Sequence, residues 1–207
     1  MTRAVAYFDP LCNHGVTGTV HFSQASPKTR VEVSISLQGF KPHQVHAIHI
    51  HEFGDLTQGC KSTGKHLNPY GDTHGSPYFT TTQHAGDLIN NLFTDEKGCA
   101  RLTFFDDKLS LDPTKPECVL GRAVVIHGHA DDYGLGGLMT DHHVDAFVPY
   151  RDMPLETLKR LCKERNYPFS GSKQSLIQKL EMESKSTGNA GGRMACAVIG
   201  LASPVLG

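Results

Sequence analysis

Apolar and polar positions alternate with a period of two along much of the chain, which predicts strands. Residues 30–37 show it most cleanly: Val31, Val33, Ile35 and Leu37 fall on one face, Glu32, Ser34 and Ser36 on the other. Residues 17–22, 45–51, 100–105 and 122–127 read as further strands, and the apolar run 195–201 as the last. Short strands between turn signals predict an all-β sandwich or barrel. Residues 56–91 are rich in Gly, Thr and His and show no clear period. A long segment of that kind in a compact domain is usually functional.

One block breaks the strand pattern. Over 154–165, Leu155, Leu158, Leu161 and Cys162 recur at helical spacing, with Pro154 at the first turn and Glu156 just behind it. Over 172–183, Leu176, Ile177 and Leu180 do the same. The turn-rich link 166–171 joins them, so a small helical hairpin is expected inside a β protein.

Composition narrows the chemistry. The chain has 207 residues and a formal net charge of -1, which fits one ordinary domain and argues against a surface built wholly for nucleic acid. No apolar run approaches the roughly 18 residues that span a bilayer, and residues 1–15 lack a secretory leader pattern, so a cytoplasmic protein is expected. Six cysteines include no CxxC pair, which excludes a zinc ribbon. Thirteen histidines and no tryptophan make histidine the residue to follow.

In a strand over 45–51, His49 and His51 share one face and His46, Ile48 and Ile50 the other. Two imidazoles at i, i+2 supply half of a metal site; two exposed strand histidines give the same pattern. His66, His74, His84 and Asp87 follow with seven, nine and two residues between them, a donor set that suits tetrahedral zinc. His127 ends the apolar run AVVIH. Four imidazoles from His49, His51, His127 and one loop histidine would suit copper.

With these residues in view, the chain resembles the Cu/Zn superoxide dismutases. The matching segments are HAIHIHEFGD (46–55), GCKSTGKHLNP (59–69), THGSP (73–77), QHAGDL (83–88), GRAVVIHGHADDYGLGG (121–137) and GNAGGRMACAVIG (188–200). They occur in family order and cover residues 2–137 and 184–207. The resemblance implies an eight-stranded Greek-key β-barrel, copper on His49, His51, His66 and His127, and zinc on His66, His74, His84 and Asp87. His66 would bridge the two metals and carry a proton during catalysis. Asp131 would link a copper-side and a zinc-side histidine, and Arg193 would hold superoxide beside the copper. Cys60 and Cys196 would form the family's disulfide, leaving Cys12, Cys99, Cys118 and Cys162 as free, packing thiols. Phe53, Gly54, Leu120, Val198, Gly200 and Leu201 match an apolar two-fold interface, so a homodimer is expected, and a copper chaperone is a candidate partner. His46 takes a structural role. His14, His21, His43, His129, His142 and His143 are expected on the surface or in loops.

The chain departs from the family between Gly137 and Gly188, where about fifty residues replace a short charged loop. Residues 152–182 resemble a SAP domain, a helix–loop–helix module that often binds DNA. Residues 150–183 carry seven Lys or Arg against five Asp or Glu, a mildly basic balance. A solvated hairpin whose leucines pack together is the simpler reading. The insertion displaces the family's steering lysine, leaving Lys185 nearest to it, with Thr187 at the channel rim. The hairpin is expected to swing outward and leave the copper open. Two alternatives stand beside the enzyme: a metal-binding decoy or copper-delivery protein, which tends to lack a copper ligand, and a protein tethered to nucleic acid through 150–183.

Overall fold

The computed structural model describes residues 1–139 and 147–203. Eight antiparallel strands form a nearly closed barrel in the order β6-β4-β8-β11-β1-β2-β3-β7. They are β1 (Thr2–Phe8), β2 (Thr17–Gln24), β3 (Val31–Gln38), β4 (Val45–His51), β6 (Asn91–Phe93), β7 (Cys99–Asp106), β8 (Ala123–His127) and β11 (Arg193–Leu201). The short β5 (Thr57–Cys60) and the two-stranded ribbon of β9 (Gly137–Met139) and β10 (Phe147–Pro149) lie outside this sheet. His142 and His143 fall outside the described residues.

The period-two pattern does what it predicts. Val31, Val33, Ile35 and Leu37 of β3 are buried in the barrel, with Ala4, Ala6 and Phe8 of β1 beside them. Ile48 and Ile50 of β4 and Val124 and Ile126 of β8 fill the same interior. His49 and His51 therefore stand on the outer face of β4, and β8 lies alongside in the register His49↔Val125. The aperiodic stretch 56–91 is no strand-poor gap: it holds β5, a 3-10 turn at Lys61–Thr63 and another at Ala85–Asp87, and it wraps that outer face. Its last turn crosses β4 so closely that a Cβ on Gly86 would lie 2.2 Å from the Ile50 carbonyl oxygen.

A disulfide joins Cys60 to Cys196 across 136 residues of sequence. Closing a loop of that length removes roughly 4–5 kcal/mol of unfolded-state entropy in the chain-entropy model. Cys118 and Cys162 are buried, Cys99 is half-buried and Cys12 is exposed, so Cys12 departs from the expected packing role.

The helical block forms α1 (Leu155–Glu164) and α2 (Lys173–Thr187). Ser172 caps α2 by accepting a hydrogen bond from the Ser175 amide. The helix runs four residues past its expected end because Ser184 continues the buried face of Leu176, Ile177 and Leu180, and Gly188 in the left-handed conformation stops it. Tyr150, Met153, Leu158, Leu161 and Leu180 close a small apolar core distinct from that of the barrel. Among the described residues, no helix is long and apolar enough to cross a membrane.

Leu180 is wholly buried in this second core. Leu180→Ala is expected to cost about 2–5 kcal/mol. Urea unfolding followed by the far-UV helix signal checks this; an unchanged midpoint would show that the helices do not depend on their shared core.

Candidate metal centre

Rigid strands deliver three of the histidines and the wrapping loop delivers the rest. His49 and His51 come from β4, His127 from the end of β8, and Arg193 pairs with His127 at the start of β11. His66 is drawn in by a β-bridge to His51. His49, His51, His66 and His127 converge with donor atoms within 4.8 Å of one another, as do His66, His74, His84 and Asp87. All seven residues are buried.

The outward ring nitrogens are tied down, and this fixes what the inward ones can do. His51 Nδ1–H donates to the Gly64 carbonyl at 3.0 Å and His127 Nδ1–H to the Gly191 carbonyl at 3.2 Å. Their Nε2 atoms therefore carry lone pairs, yet lie 3.4 Å apart. His49 Nε2–H donates to Asp131 Oδ2 at 2.7 Å, which leaves its Nδ1 as a lone pair. Among the described residues, four buried side-chain polar atoms lack a partner, and two of them are His49 Nδ1 and His66 Nε2, on tilted rings whose centroids are 4.0 Å apart. Lone pairs crowded into a dry gap repel, and a cation converts that repulsion into coordination.

The second group gives a quantitative test. His66 and His74 Nδ1 lie 2.9 Å from Asp87 Oδ1, His84 Nδ1 lies 3.0 Å from it, and the Nδ1 atoms of His66 and His84 are 3.4 Å apart. Tetrahedral ligands at the zinc–nitrogen distance of about 2.0–2.1 Å stand about 3.3 Å from one another. The donor set is therefore already at zinc spacing. Asp87 Oδ2 accepts from the amides of His84 (2.8 Å) and Gly75 (3.1 Å), which aims Oδ1 at the histidines.

Asp131 joins the two groups. Its Oδ2 accepts from His49 and its Oδ1 from His74 Nε2–H at 2.9 Å. The Asn91 side chain clamps its backbone from both sides, accepting from the Asp131 amide at 2.8 Å and donating to its carbonyl at 3.0 Å. Electrostatics follow from these contacts. Burial, then neighbouring His49, pushes His66 down to about 3. Burial also holds His51 and His127 well below the ordinary imidazole range. Burial works against charge on His74 as well, but Asp131 and Asp87 outweigh it and raise that ring. Asp131 is held low because the histidines it grips overcome its own burial.

A cleft of about 620 Å³ leads to His51, His66 and His127. Lys65, Lys185 and Arg193 line it together with Glu52, Asp72 and Glu183. Arg193 is seated by the carbonyls of Cys60 (2.6 Å), Lys61 (3.0 Å) and Gly64. The insertion does not plug the cleft, but neither does it swing outward as the sequence predicts: Tyr167 and the end of α2, including Thr187, form one wall.

Sequence reasoning left several supporting residues without a role. Gly188, at φ 62°, lies so close that a Cβ would sit 2.2 Å from Asp131 Oδ1. Buried Asp132 receives hydrogen bonds from the Tyr150 hydroxyl (2.7 Å), Asn189 Nδ2 (2.8 Å) and the Ser184 hydroxyl (3.0 Å). The Lys185 carbonyl accepts from the His74 amide at 2.9 Å. The acidic doublet in ADDYG and the TGN run were the available signals. His46 donates to the His127 carbonyl at 2.9 Å, a structural role as expected. His129 is more than a surface residue: its Nε2 donates to the Glu164 carbonyl at 3.0 Å, tying the barrel to α1.

Comparison with known proteins agrees with this geometry. Residues 16–146 match the family model of copper/zinc superoxide dismutase. A Cu-Zn superoxide dismutase of Paramecium bursaria Chlorella virus 1 is 36% identical over 188 residues, covering 90% of this chain and 74% of the viral protein. A crystal structure of the clock protein EA4 matches with a TM-score of 0.68 at 33% identity, covering 97% of this chain and 95% of that one.

The neutral histidine cluster has a pH signature in the metal-free chain. His66 is held at about 3, whereas an unfolded imidazole titrates near 6.5. Below pH 6.5 the unfolded chain binds a proton that the folded chain refuses, so stability present above that pH is lost as pH falls toward 3. One such group gives a slope of about 1.4 kcal/mol per pH unit inside the window. His51 and His127 add to it, whereas raised His74 changes stability only above pH 6.5 and has no slope in this window. The urea midpoint of the metal-free chain is expected to fall steadily from about pH 6.5 to about pH 4; a flat profile would contradict a neutral cluster.

Proposed function

The chain belongs to the copper/zinc superoxide dismutase family, and on that premise we propose that His49, His51, His66 and His127 hold its copper and His66, His74, His84 and Asp87 its zinc. Its activity is the conversion of two superoxide anions and two protons into dioxygen and hydrogen peroxide. The observation that carries the assignment is the convergence of the two donor sets, in which His49, His51, His74 and His127 each turn one nitrogen inward opposite an outward hydrogen bond to Asp131, Gly64 or Gly191. When bound, copper supplies one-electron cycling and zinc a fixed, redox-silent charge.

The residues do the rest. The Arg193 guanidinium, seated on backbone carbonyls, presents a fixed positive charge to an anion in the cleft. Lys65 and Lys185 add to the attraction, and Glu52, Asp72 and Glu183 in the same cleft work against it. His66 is the proton carrier, because it is the ring with donor atoms in both groups and its Nε2 has no hydrogen-bond partner. Asp131 engages the Nε2 atoms of His49 and His74, so that with metal bound their Nδ1 atoms would be the ones left to coordinate. No protein nucleophile is needed. A decoy or copper-delivery reading draws no support, since each expected donor is present.

A homodimer belongs to the same proposal. Phe53, Val198 and Leu201 are exposed apolar side chains at the expected interface positions. A cytoplasmic setting and copper delivery by a chaperone rest on the family alone. A DNA contact through 150–183 draws less support: Lys159, Arg160 and Lys179 pair with Glu156, Glu164 and Glu183, and Arg165 is buried. Arg151, Lys163 and Lys173 are what remains for phosphate.

His127→Ala removes one copper donor and leaves the zinc set intact. Copper per chain is expected to fall while zinc is kept, and dismutation to drop by about 100-fold or more, beyond the 10–100-fold typical of losing a supporting residue. Full copper and undiminished activity in this variant would refute the assignment. For the dimer, Phe53→Glu is expected to halve the sedimenting mass of the native protein. A native chain that already sediments at 22.6 kDa would rule the interface out.

A further inference from the structure

A second cleft, of about 720 Å³, lies beside the first and shares Arg193 with it. Three of the six cysteines line it: Cys60 and Cys196, joined as the disulfide, and the exposed thiol Cys12. Their proximity is built into the fold. The β1–β11 ladder ends at Ala6↔Ile199, and beyond it the Asn13 side chain takes over, its Oδ1 accepting from the Cys196 amide at 2.8 Å. Asn13 is itself buried and donates back to the Asp9 carbonyl at 3.0 Å, which holds the turn carrying Cys12 against the disulfide strand.

The three sulfurs differ in access. Cys196 is buried, packed with Ala123 and Val125. Cys60 is half-buried and Cys12 is exposed. An external disulfide in solution therefore reaches Cys12 more readily than Cys196. The charge of the cleft selects among such reagents: Lys61 and Arg193 line it, and among the described residues no carboxylate does.

We propose that Cys12 is the entry thiol of a relay that installs the Cys60–Cys196 disulfide, and that this cleft takes an anionic small-molecule disulfide of the glutathione class. In the first step the Cys12 thiolate attacks the small disulfide, forming a mixed disulfide and expelling one small thiolate. Next, the Cys60 thiolate attacks Cys12 Sγ, forming a Cys12–Cys60 bond and expelling the second small thiolate. Finally, the Cys196 thiolate attacks Cys60 Sγ, and Cys12 leaves as the thiolate. Two protein thiols are oxidised, one small disulfide is reduced to two thiols, and the two protons of Cys60 and Cys196 end on them. Cys12 is regenerated. The relay bears on catalysis because the Cys60 carbonyl seats Arg193.

The test uses the full-length chain, reduced and then reoxidised with oxidised glutathione. Samples are quenched in acid, alkylated and mapped by mass spectrometry. Peptides carrying Cys12–glutathione and then Cys12–Cys60 are expected before Cys60–Cys196. Tethering gives Cys12 a local concentration in the millimolar range, so Cys12→Ser is expected to slow Cys60–Cys196 formation about tenfold or more. In Cys196→Ser the relay must stop at a Cys12–Cys60 bond, which keeps the proposal testable if Cys12→Ser folds poorly. The cationic disulfide cystamine is expected to load Cys12 more slowly than oxidised glutathione. Equal rates for Cys12→Ser and the native chain, an unlinked Cys12 and Cys60 in Cys196→Ser, or equal loading by the two reagents would overturn it.

Discussion

One carboxylate holds two half-sites in register. Asp131 grips His49 on the barrel and His74 on the wrapping loop with its two oxygens, so a strand residue and a loop residue answer to a single side chain. Without it, His49 and His74 would each be free to choose the wrong tautomer, and the loop would lose a contact that places it over β4. The cost of burying Asp131 is met by the histidines it binds and by Asn91 on its backbone. The site is therefore built from the outside inward: backbone carbonyls and carboxylates settle the outer nitrogens, and the inner nitrogens are left as donors because nothing else remains for them.

The insertion is part of this arrangement. Its return strand of chain passes under Asp131 at Gly188, where a side chain has no room. Tyr150, Ser184 and Asn189 converge on Asp132, the next residue, and the Lys185 carbonyl holds the His74 amide. A helical hairpin with its own apolar core thus ends in contacts that position His74, Asp131 and Asp132. The end of α2 and Tyr167 form one wall of the cleft and bring the mixed set of Glu183, Lys185 and Tyr167 to it.

The sequence made the barrel strands legible because burial on one face imposes a period of two, as in Val31, Val33, Ile35 and Leu37. It made His49 and His51 legible for the same reason, and the helices through their leucines. It hid β5 and the 3-10 turns, because Asp87 and His84 are placed by hydrogen bonds to individual atoms and not by any period. The grouping of His66, His74, His84 and Asp87 was readable through family resemblance; spacing alone left it open. The full length of α2 was obscured by Ser184, a polar residue on a buried face whose hydroxyl is spent on Asp132. Gly188 and Asp132 stood inside matched motifs, but their roles depend on contacts far apart in sequence. Cys12, assigned to packing by type, is exposed because its turn lies on the surface beside the disulfide.

The amide of Asp132 donates to the Gly188 carbonyl at 2.8 Å, so the chain leaves the barrel and comes back to it at almost the same point. A detour whose two ends are stitched together adds little to the entropic cost of folding as it lengthens, since that cost grows only logarithmically. The junction thus works as a port: apart from Tyr150, Glu164 and Arg165, which reach back to Asp132, His129 and Asn189, what is carried between Gly136 and Ser184 can change in length without moving the histidine clusters behind it.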